Sequence, residues 1–361
     1  MSRVLVSAGG TGGHVFPALA VAKALRAQGH EVSWLGTADR IESRVVPQEG
    51  FTFHGLPLRP LRGKGILGWL QAPFNVIRGL RACGRVMAKE KPDLLIGFGG
   101  YTAGPAGVVA KFKGIPLVVH EQNAIPGLTN KLLAKIATRT LLGFADAKAY
   151  LGNGDVTGNP VRDDICALYS TDSITVESPL RILVIGGSLG AQHLNQTVPA
   201  AFAQWCGPAI KIRHQVGAGR SAEVTAAYTN IAANVDVQVD EFIDDMAAAY
   251  QGADLVIGRA GALTVAELSM AGKAAILVPY PHAVDDHQTA NAKVLGNRGA
   301  ALVLPQPDCT PKRLCDELSV LANAPEQIKK MSANARSEAP IAATAKIVAL
   351  CEALMVERKD V

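Results

Sequence analysis

The strongest constraint on this chain is a pattern that occurs twice. Arg3-Val4-Leu5-Val6-Ser7 runs into Gly9-Gly10-Thr11-Gly12-Gly13, and Arg181-Ile182-Leu183-Val184-Ile185 runs into Gly186-Gly187-Ser188-Leu189-Gly190. In each case a short apolar run meets a glycine turn and then a helical pattern, which reads as the first strand, turn and helix of a Rossmann-like domain. Further short runs follow at Val32–Leu35, Leu94–Gly97, Leu117–His120 and Arg139–Leu142, and again at Lys211–Val216, Val235–Val239, Leu255–Ile257 and Ala275–Val278. Helical patterns separate them, so the expected class is α/β with parallel sheets covered on both faces. We place the first domain at 1–162 and the second at 163–340, with a polar loop at Tyr169–Pro179 near the boundary. A last helical pattern, Ile341–Val356, either caps the second domain or crosses back to the first.

A strand that ends in glycines and opens a helix offers backbone N–H groups and a positive dipole end to an anion. Four such turns are present: Gly9–Gly13, Gly99-Gly100-Tyr101-Thr102-Ala103-Gly104, Gly186–Gly190 and Arg259-Ala260-Gly261-Ala262-Leu263-Thr264. Any one alone reads equally as a ligand-free βα turn; four on successive strand ends point to at least two phosphate sites. The first turn is not a dinucleotide fingerprint, because Val15 stands where the third glycine belongs, and no Walker lysine follows. His14, at the start of the first helix, faces the strand ends where open α/β sheets bind ligands, which suits a general base or a phosphate contact. Glu267, early in a helix, can accept two hydrogen bonds from a vicinal diol such as ribose, or simply favour the helix dipole. Asp285-Asp286-His287-Gln288 suggests a metal at first sight, but the chain has no D-x-D and no H-x-x-x-H, so none is expected.

Composition narrows the class. Hydrophobic residues make up 48% of the 361 and charged ones 19%, which excludes a disordered chain. The six cysteines contain no C-x-x-C pair and fit a reducing compartment. Val4-Leu5-Val6 is too short for a signal-peptide core, and the uncharged stretch Leu94–Ala110 is broken by five glycines and Pro105, so a soluble chain is expected.

The order of motifs carries more than any one of them. Ala8 to His14 with Pro17, Gly99-Gly100-Tyr101, His120-Glu121-Gln122-Asn123, Gly158-Asn159-Pro160-Val161-Arg162, Gly186-Gly187-Ser188, Glu241 to Met246, Ala262 to Glu267, Asp286-His287-Gln288 and Asn291-Ala292 occur in sequence along nearly the whole chain. As a set they resemble the MurG family, bacterial transferases that add N-acetylglucosamine to lipid I, the lipid-linked muramyl-pentapeptide of peptidoglycan synthesis. The resemblance implies a GT-B fold: two Rossmann-like domains facing across a cleft, with the final helix (341–361) returning to the first. It implies neither metal nor cofactor.

By position, the resemblance assigns UDP-N-acetylglucosamine to the second domain. Ile243 would contact uracil through its backbone and Glu267 would bind the ribose hydroxyls. Ser188, Ala262, Leu263, Thr264 and Arg162 would surround the diphosphate, with Val265 and Ala266 in the same segment; Ala266 stands where some relatives have Ser. Gln288 and Asn123 would contact the sugar, and Thr11, Gly12 and Gly13 would reach the donor from the first domain. Gly9, Gly10, Gly99, Gly100, Tyr101 and Gly104 would face the acceptor's diphosphate. The implied reaction is an inverting displacement with His14 as base, at the cytoplasmic face of the bacterial membrane and beside other cell-wall synthesis proteins. A UDP-sugar 2-epimerase, a glycolipid glycosyltransferase and a non-catalytic nucleotide-sugar module are the competing readings.

The net charge of +5 is unevenly placed. Between Arg59 and Lys91 lie eight Lys/Arg and one acid, Glu90, so this stretch carries +7 and the rest of the chain −2. Ile66, Leu67, Trp69, Leu70 and Phe74 read as an exposed apolar loop beside it, and a helix is expected from Pro73 to Lys89. At ~100° per residue, Arg78, Arg81, Arg85 and Lys89 share one face, opposite Val76, Leu80, Cys83 and Met87. A cationic stripe next to apolar residues suits an anionic bilayer; nucleic acid is not expected as a partner.

Overall fold

In a computed structural model, residues 1–56, 66–170, 175–176, 178–187 and 190–357 are described. They form two compact units, Met1–Arg162 with Ala342–Val361, and Asp163–Ile341.

The first unit is built on strands β1 (Arg3–Ala8), β2 (Glu31–Thr37), β3 (Thr52–Leu56), β4 (Leu94–Gly99), β5 (Leu117–Glu121), β6 (Arg139–Leu142) and β7 (Asp155–Val156). All pairs are parallel, in the order β3-β2-β1-β4-β5-β6-β7. Val4 lies opposite Val32 on one side and Leu94 on the other. Successive side chains point to opposite faces of a strand, so Val4 and Val6 enter one core while Leu5 enters another. The first core is covered by the Gly12–Ala27 helix, through Ala18, Val21 and Leu25. It is also covered by the terminal Ala343–Glu357 helix, through Ile347, Cys351 and Met355. His30 and Glu352, 3.1 Å apart, tie that helix to the start of β2. The second core is covered by the Ile66–Glu90 and Ala103–Phe112 helices.

The second unit repeats the arrangement with β8 (Leu180–Ile185), β9 (Ile210–Gln215), β10 (Val235–Asp240), β11 (Leu255–Gly258), β12 (Ala274–Leu277) and β13 (Ala301–Val303), ordered β10-β9-β8-β11-β12-β13. Both sheets reverse strand order beside their first strand, between β1 and β4 and between β8 and β11. In open α/β sheets that reversal opens a crevice at the carboxyl ends of the strands. The α/β, two-Rossmann reading of the sequence therefore holds.

Three strands escaped the sequence reading: β3, β7 and β13. Each is an edge strand. An edge is short and half-exposed, so it needs no continuous apolar run and leaves a weak signal.

The basic segment needs correction. Ile66–Leu70 is not a loop: the helix runs from Ile66 to Glu90, through Pro73. Proline lacks an N–H and removes one intrahelical bond, which made it look like a start signal. Val76 is also not on a buried face. Phe74 to Arg78 are all exposed, and burial begins at Gly79 and continues at Ala82, Cys83 and Met87. Arg59, Arg62, Lys64 and the side chains of Ile66, Leu67, Trp69 and Leu70 lie outside the described residues.

Candidate active site

The four glycine turns fall in two pairs, one at each reversal of strand order. Gly9–Gly13 leaves β1 and Gly99–Gly104 leaves β4; Gly186–Gly190 leaves β8 and Arg259–Thr264 leaves β11. In the first pair the backbones touch: a Cβ on Gly100 would strike the Gly9 carbonyl, and Gly100 has φ +85°. Only glycine fits there. The helices that open at these turns, Gly12–Ala27, Ala103–Phe112, Gln192–Phe202 and Ala262–Ala271, have no side-chain cap and no acid in the first turn. Their N-terminal amides therefore suit an anion.

His14 sits in the first turn of its helix, half-buried, with Nδ1 3.3 Å from Thr11 Oγ1. Its Nε2 lies against Gly99, 3.1 Å from where a Cβ there would stand. A larger residue at position 99 would thus displace the imidazole. Beneath the loop lies a residue that the sequence reading missed. Glu42 is fully buried and accepts from Gly10 N–H at 3.2 Å and Thr37 N–H at 2.9 Å. Gly10 was expected to face a phosphate; its amide is committed to Glu42 instead. A Cβ on Gly9 would strike the same carboxylate. Nothing local in Ile41-Glu42-Ser43 announces this, because the contact forms only when the turns after β1 and β2 come together.

Asn123 is ordered by a second buried carboxylate. Glu121 Oε1 accepts from the Asn123 amide N–H (2.8 Å) and Nδ2 (3.1 Å), and Oε2 accepts from Asn130 Nδ2 (2.9 Å) and Gly127 N–H (3.2 Å). Next to it, burial pulls the His120 pKa down to about 4, opposed by its bond to Gly158. The neutral ring fits its neighbours: Nε2–H donates to the Gly158 carbonyl at 3.1 Å and Nδ1 accepts from Gln122 Nε2 at 3.0 Å. Asn159 Nδ2 donates to the Gln122 carbonyl at 3.0 Å, so the His120–Asn123 and Gly158–Arg162 segments are one network. Arg162 itself is half-buried at the end of the first unit.

In the second unit, Ala262, Leu263 and Thr264 form the first turn of the helix after β11, and Glu267 follows on the next turn beyond Val265 and Ala266. Tyr250, fully buried, donates its hydroxyl to Glu267 Oε2 at 3.0 Å and fixes the carboxylate. Ile243 is buried beside exposed Phe242 in the loop after β10. Gln288 opens the next helix and accepts from Tyr280 N–H at 2.9 Å, which leaves its amide NH2 as the donor end. It is preceded by Asp285 and Asp286 at φ 54° and 52°, a left-handed pair that non-glycine residues adopt at some energetic cost. Gln215 Nε2 donates to the carbonyls of Gly187 (3.1 Å) and Glu241 (3.0 Å), bracing the β8 turn against the end of β10. Ser188 lies outside the described residues. Among the described residues there is no cluster of three or more His, Cys, Asp or Glu side chains that could hold a metal.

A polar cavity of about 230 Å³ lies elsewhere, lined by Arg181, Asp254, Lys273, Ser332 and Arg336 among others. These residues stand where β8, β11 and β12 begin, the end of the sheet opposite to the glycine turns. The cavity is not part of the candidate site.

Comparison with known proteins follows the same division. The glycosyltransferase family 28 N-terminal domain matches residues 4–142 and the family 28 C-terminal domain residues 181–346. A UDP-N-acetylglucosamine--N-acetylmuramyl-(pentapeptide) pyrophosphoryl-undecaprenol N-acetylglucosamine transferase of Shewanella loihica is 49% identical, covering 99% of this chain and 98% of its own. The crystal structure of Acinetobacter baumannii MurG superposes with a TM-score of 0.85 at 39% identity, covering 98% of this chain and 99% of that one. A UDP-GlcNAc 2-epimerase from Neisseria meningitidis shares the fold alone, with a TM-score of 0.66 at 13% identity and 96% and 98% coverage. The chain belongs to the MurG family and is a GT-B glycosyltransferase.

Proposed function

We propose that the chain transfers N-acetylglucosamine from UDP-N-acetylglucosamine to the 4-hydroxyl of the muramyl sugar of lipid I, in peptidoglycan synthesis. The Shewanella loihica relative carries this activity in its name. The observation that carries the assignment of the donor is how the second unit's turns are braced. Gln215, Asn195, Asn291 and Arg259 all donate to strand-end carbonyls. Beside these contacts the uncapped Ala262–Ala271 helix, with no acid in its first turn, opens its N-terminal amides at the end of β11. A departing diphosphate is stabilised there without a metal.

In this reading Glu267, set by Tyr250, receives the ribose hydroxyls, and Ile243 offers its backbone to uracil. Ser188, Ala262, Leu263, Thr264, Val265, Ala266 and Arg162 surround the diphosphate. Gln288 is assigned to the sugar, and Asn123, Thr11, Gly12 and Gly13 keep the donor contacts that the family resemblance gives them. The acceptor's diphosphate lies along Gly9, Gly99, Gly100, Tyr101 and Gly104. His14 takes the proton of the attacking hydroxyl, and inversion at the anomeric carbon gives a β-1,4 link. The deciding assay is transfer of labelled N-acetylglucosamine to a lipid I analogue. Label appearing as free sugar epimer and none in lipid would replace this reading with an epimerase.

No described helix is long and apolar enough to cross a membrane. We infer that the chain meets its acceptor peripherally, at the cytoplasmic face of the bacterial membrane. The support is one face of the Ile66–Glu90 helix, where Phe74 (75% exposed) and Ile77 (47%) adjoin exposed Arg78, Arg81 and Arg85. Apolar side chains inserted between lipid headgroups, with arginines on the phosphates, bind anionic bilayers. Neutralising Arg78, Arg81 and Arg85 together abolishes binding to anionic vesicles and leaves UDP-sugar affinity intact; retained binding removes this helix from the role. Other cell-wall synthesis proteins are expected partners at that surface.

A further inference from the structure

The six cysteines differ in burial: Cys206 is exposed, Cys166 and Cys315 are partly buried, and Cys83, Cys309 and Cys351 are buried. Burial pushes the thiols of Cys83 and Cys351 up to about 12 and those of Cys166 and Cys309 up to about 11, so these four hold their protons and resist oxidation. Cys206 is exposed and Cys315 is partly so, and both lie in the second unit. Their sulfurs converge on one oxygen: the Gln204 carbonyl is 3.7 Å from Cys206 Sγ and 3.9 Å from Cys315 Sγ.

Both thiols stand on rigid backbone. Cys206 follows Trp205, which is buried against Phe202 and donates Nε1–H to the Pro208 carbonyl at 2.9 Å, closing the turn around the cysteine. Asn234 Nδ2 holds the Gly207 carbonyl at 2.8 Å. Cys315 follows Leu314 on the Pro311–Ala322 helix, and Leu314, Leu318 and Leu321 share one hydrophobic core with Phe202 and Trp205. Cys315 packs against the edge of that core, and Cys206 is exposed.

We propose that Cys206 and Cys315 form an oxidation site at which a hydroperoxide converts the two thiols into a disulfide. The Cys206 thiolate attacks a peroxide oxygen, the O–O bond breaks, and the leaving oxygen departs as water with a proton. Cys206 is then a sulfenic acid. The Cys315 sulfur attacks it, the S–O bond breaks, and the hydroxide leaves as water with the Cys315 proton. Two thiols lose two electrons and hydrogen peroxide becomes two waters. Cys206 reacts first because it is the exposed thiol, and Cys315, whose sulfur shares the Gln204 carbonyl, is the resolving partner. The product pins the Pro311–Ala322 helix to the turn that follows the Gln192–Phe202 helix.

The test treats the reduced full-length protein with hydrogen peroxide, blocks remaining thiols and maps peptides by mass. The expected product is one cross-linked pair joining the Cys206 and Cys315 peptides, at least ~10-fold above any other cysteine pair. The oxidised protein melts higher than the reduced one, because the link restricts the unfolded chain. C206S, at an exposed site, abolishes the cross-link and leaves Cys315 reduced; C315S lets Cys206 run on to sulfinic acid. Overoxidised Cys206 in the unsubstituted protein without a cross-link, or links spread among other cysteines, overturns the proposal.

Discussion

The two crevices of this molecule are built on the same topology and both use side chains that donate to carbonyls, but the first adds buried carboxylates that gather backbone N–H groups. At the first, buried carboxylates hold the loops: Glu42 takes the amides of Gly10 and Thr37, and Glu121 those of Asn123 and Gly127. At the second, amide and guanidinium groups hold the loops by donating to carbonyls, as Gln215, Asn291 and Arg259 do. A carboxylate accepts only, so it gathers backbone N–H groups, whereas the NH2 of Asn or Gln and the guanidinium of Arg gather backbone C=O groups. In the proposed reaction the first crevice holds His14 as the base and the second receives the donor's diphosphate.

The sharpest way to break that contrast is to remove the reacting group. His14→Ala is expected to lower kcat by ~10² or more, with calorimetric affinity for the UDP-sugar within about twofold. Near-normal turnover would take His14 out of the base role. On the other side, Glu267→Ala is expected to weaken UDP-sugar binding by ~10-fold or more while the melting temperature barely moves, since a charge-assisted hydrogen bond is lost. Unchanged affinity would place the ribose elsewhere.

Glu42→Gln separates bracing from chemistry. The amide keeps one acceptor oxygen but turns an NH2 toward a backbone N–H, at a cost of ~1–3 kcal/mol in stability. With the loop loosened, kcat is expected to fall ~10-fold and donor affinity to weaken less, by a few-fold at most, since Thr11, Gly12 and Gly13 of that loop are assigned to the donor. A change in donor KM alone, with kcat intact, would contradict the division of labour between the crevices. Tyr250→Phe is the mildest change, expected to raise donor KM ~3-fold by freeing Glu267.

Acid acts on both units alike. Burial holds His120 in the first and His214 in the second at about 4, against the usual 6.5. Below pH 6.5 the unfolded chain binds protons at both positions that the folded units refuse, so stability falls as pH drops through this window and levels off near 4. The loss is expected to reach about 3 kcal/mol for each histidine, read from urea melts at pH 7 and 4.5. A flat profile would mean that neither ring refuses the proton in the folded protein.

The central strands were legible because burial on both faces demands continuous Val, Ile and Leu, and the glycine turns because φ near +85° at Gly100 and contact with Gly9 admit nothing larger. Most of the quoted motifs were legible as an ordered set because they sit where a strand ends and a turn or helix begins. The edge strands β3, β7 and β13 were not, nor was the passage of the Ile66–Glu90 helix through Pro73, since local propensity argued against each.

The amino-acid sequence by itself therefore determined two Rossmann-like domains, four turns able to meet phosphate, and His14 and Glu267 as the groups beside them. Only the tertiary structure decided which turns pair, that Gly10's amide is committed to Glu42, that Tyr250 fixes Glu267, and that the terminal helix completes the first unit's core. These are contacts between residues far apart in the chain, made by a carboxylate, a phenol and a helix face whose local sequence is ordinary. Periodicity and glycine spacing report the demands of the backbone where they stand; a long-range hydrogen bond leaves no such mark until the chain has brought its two ends together.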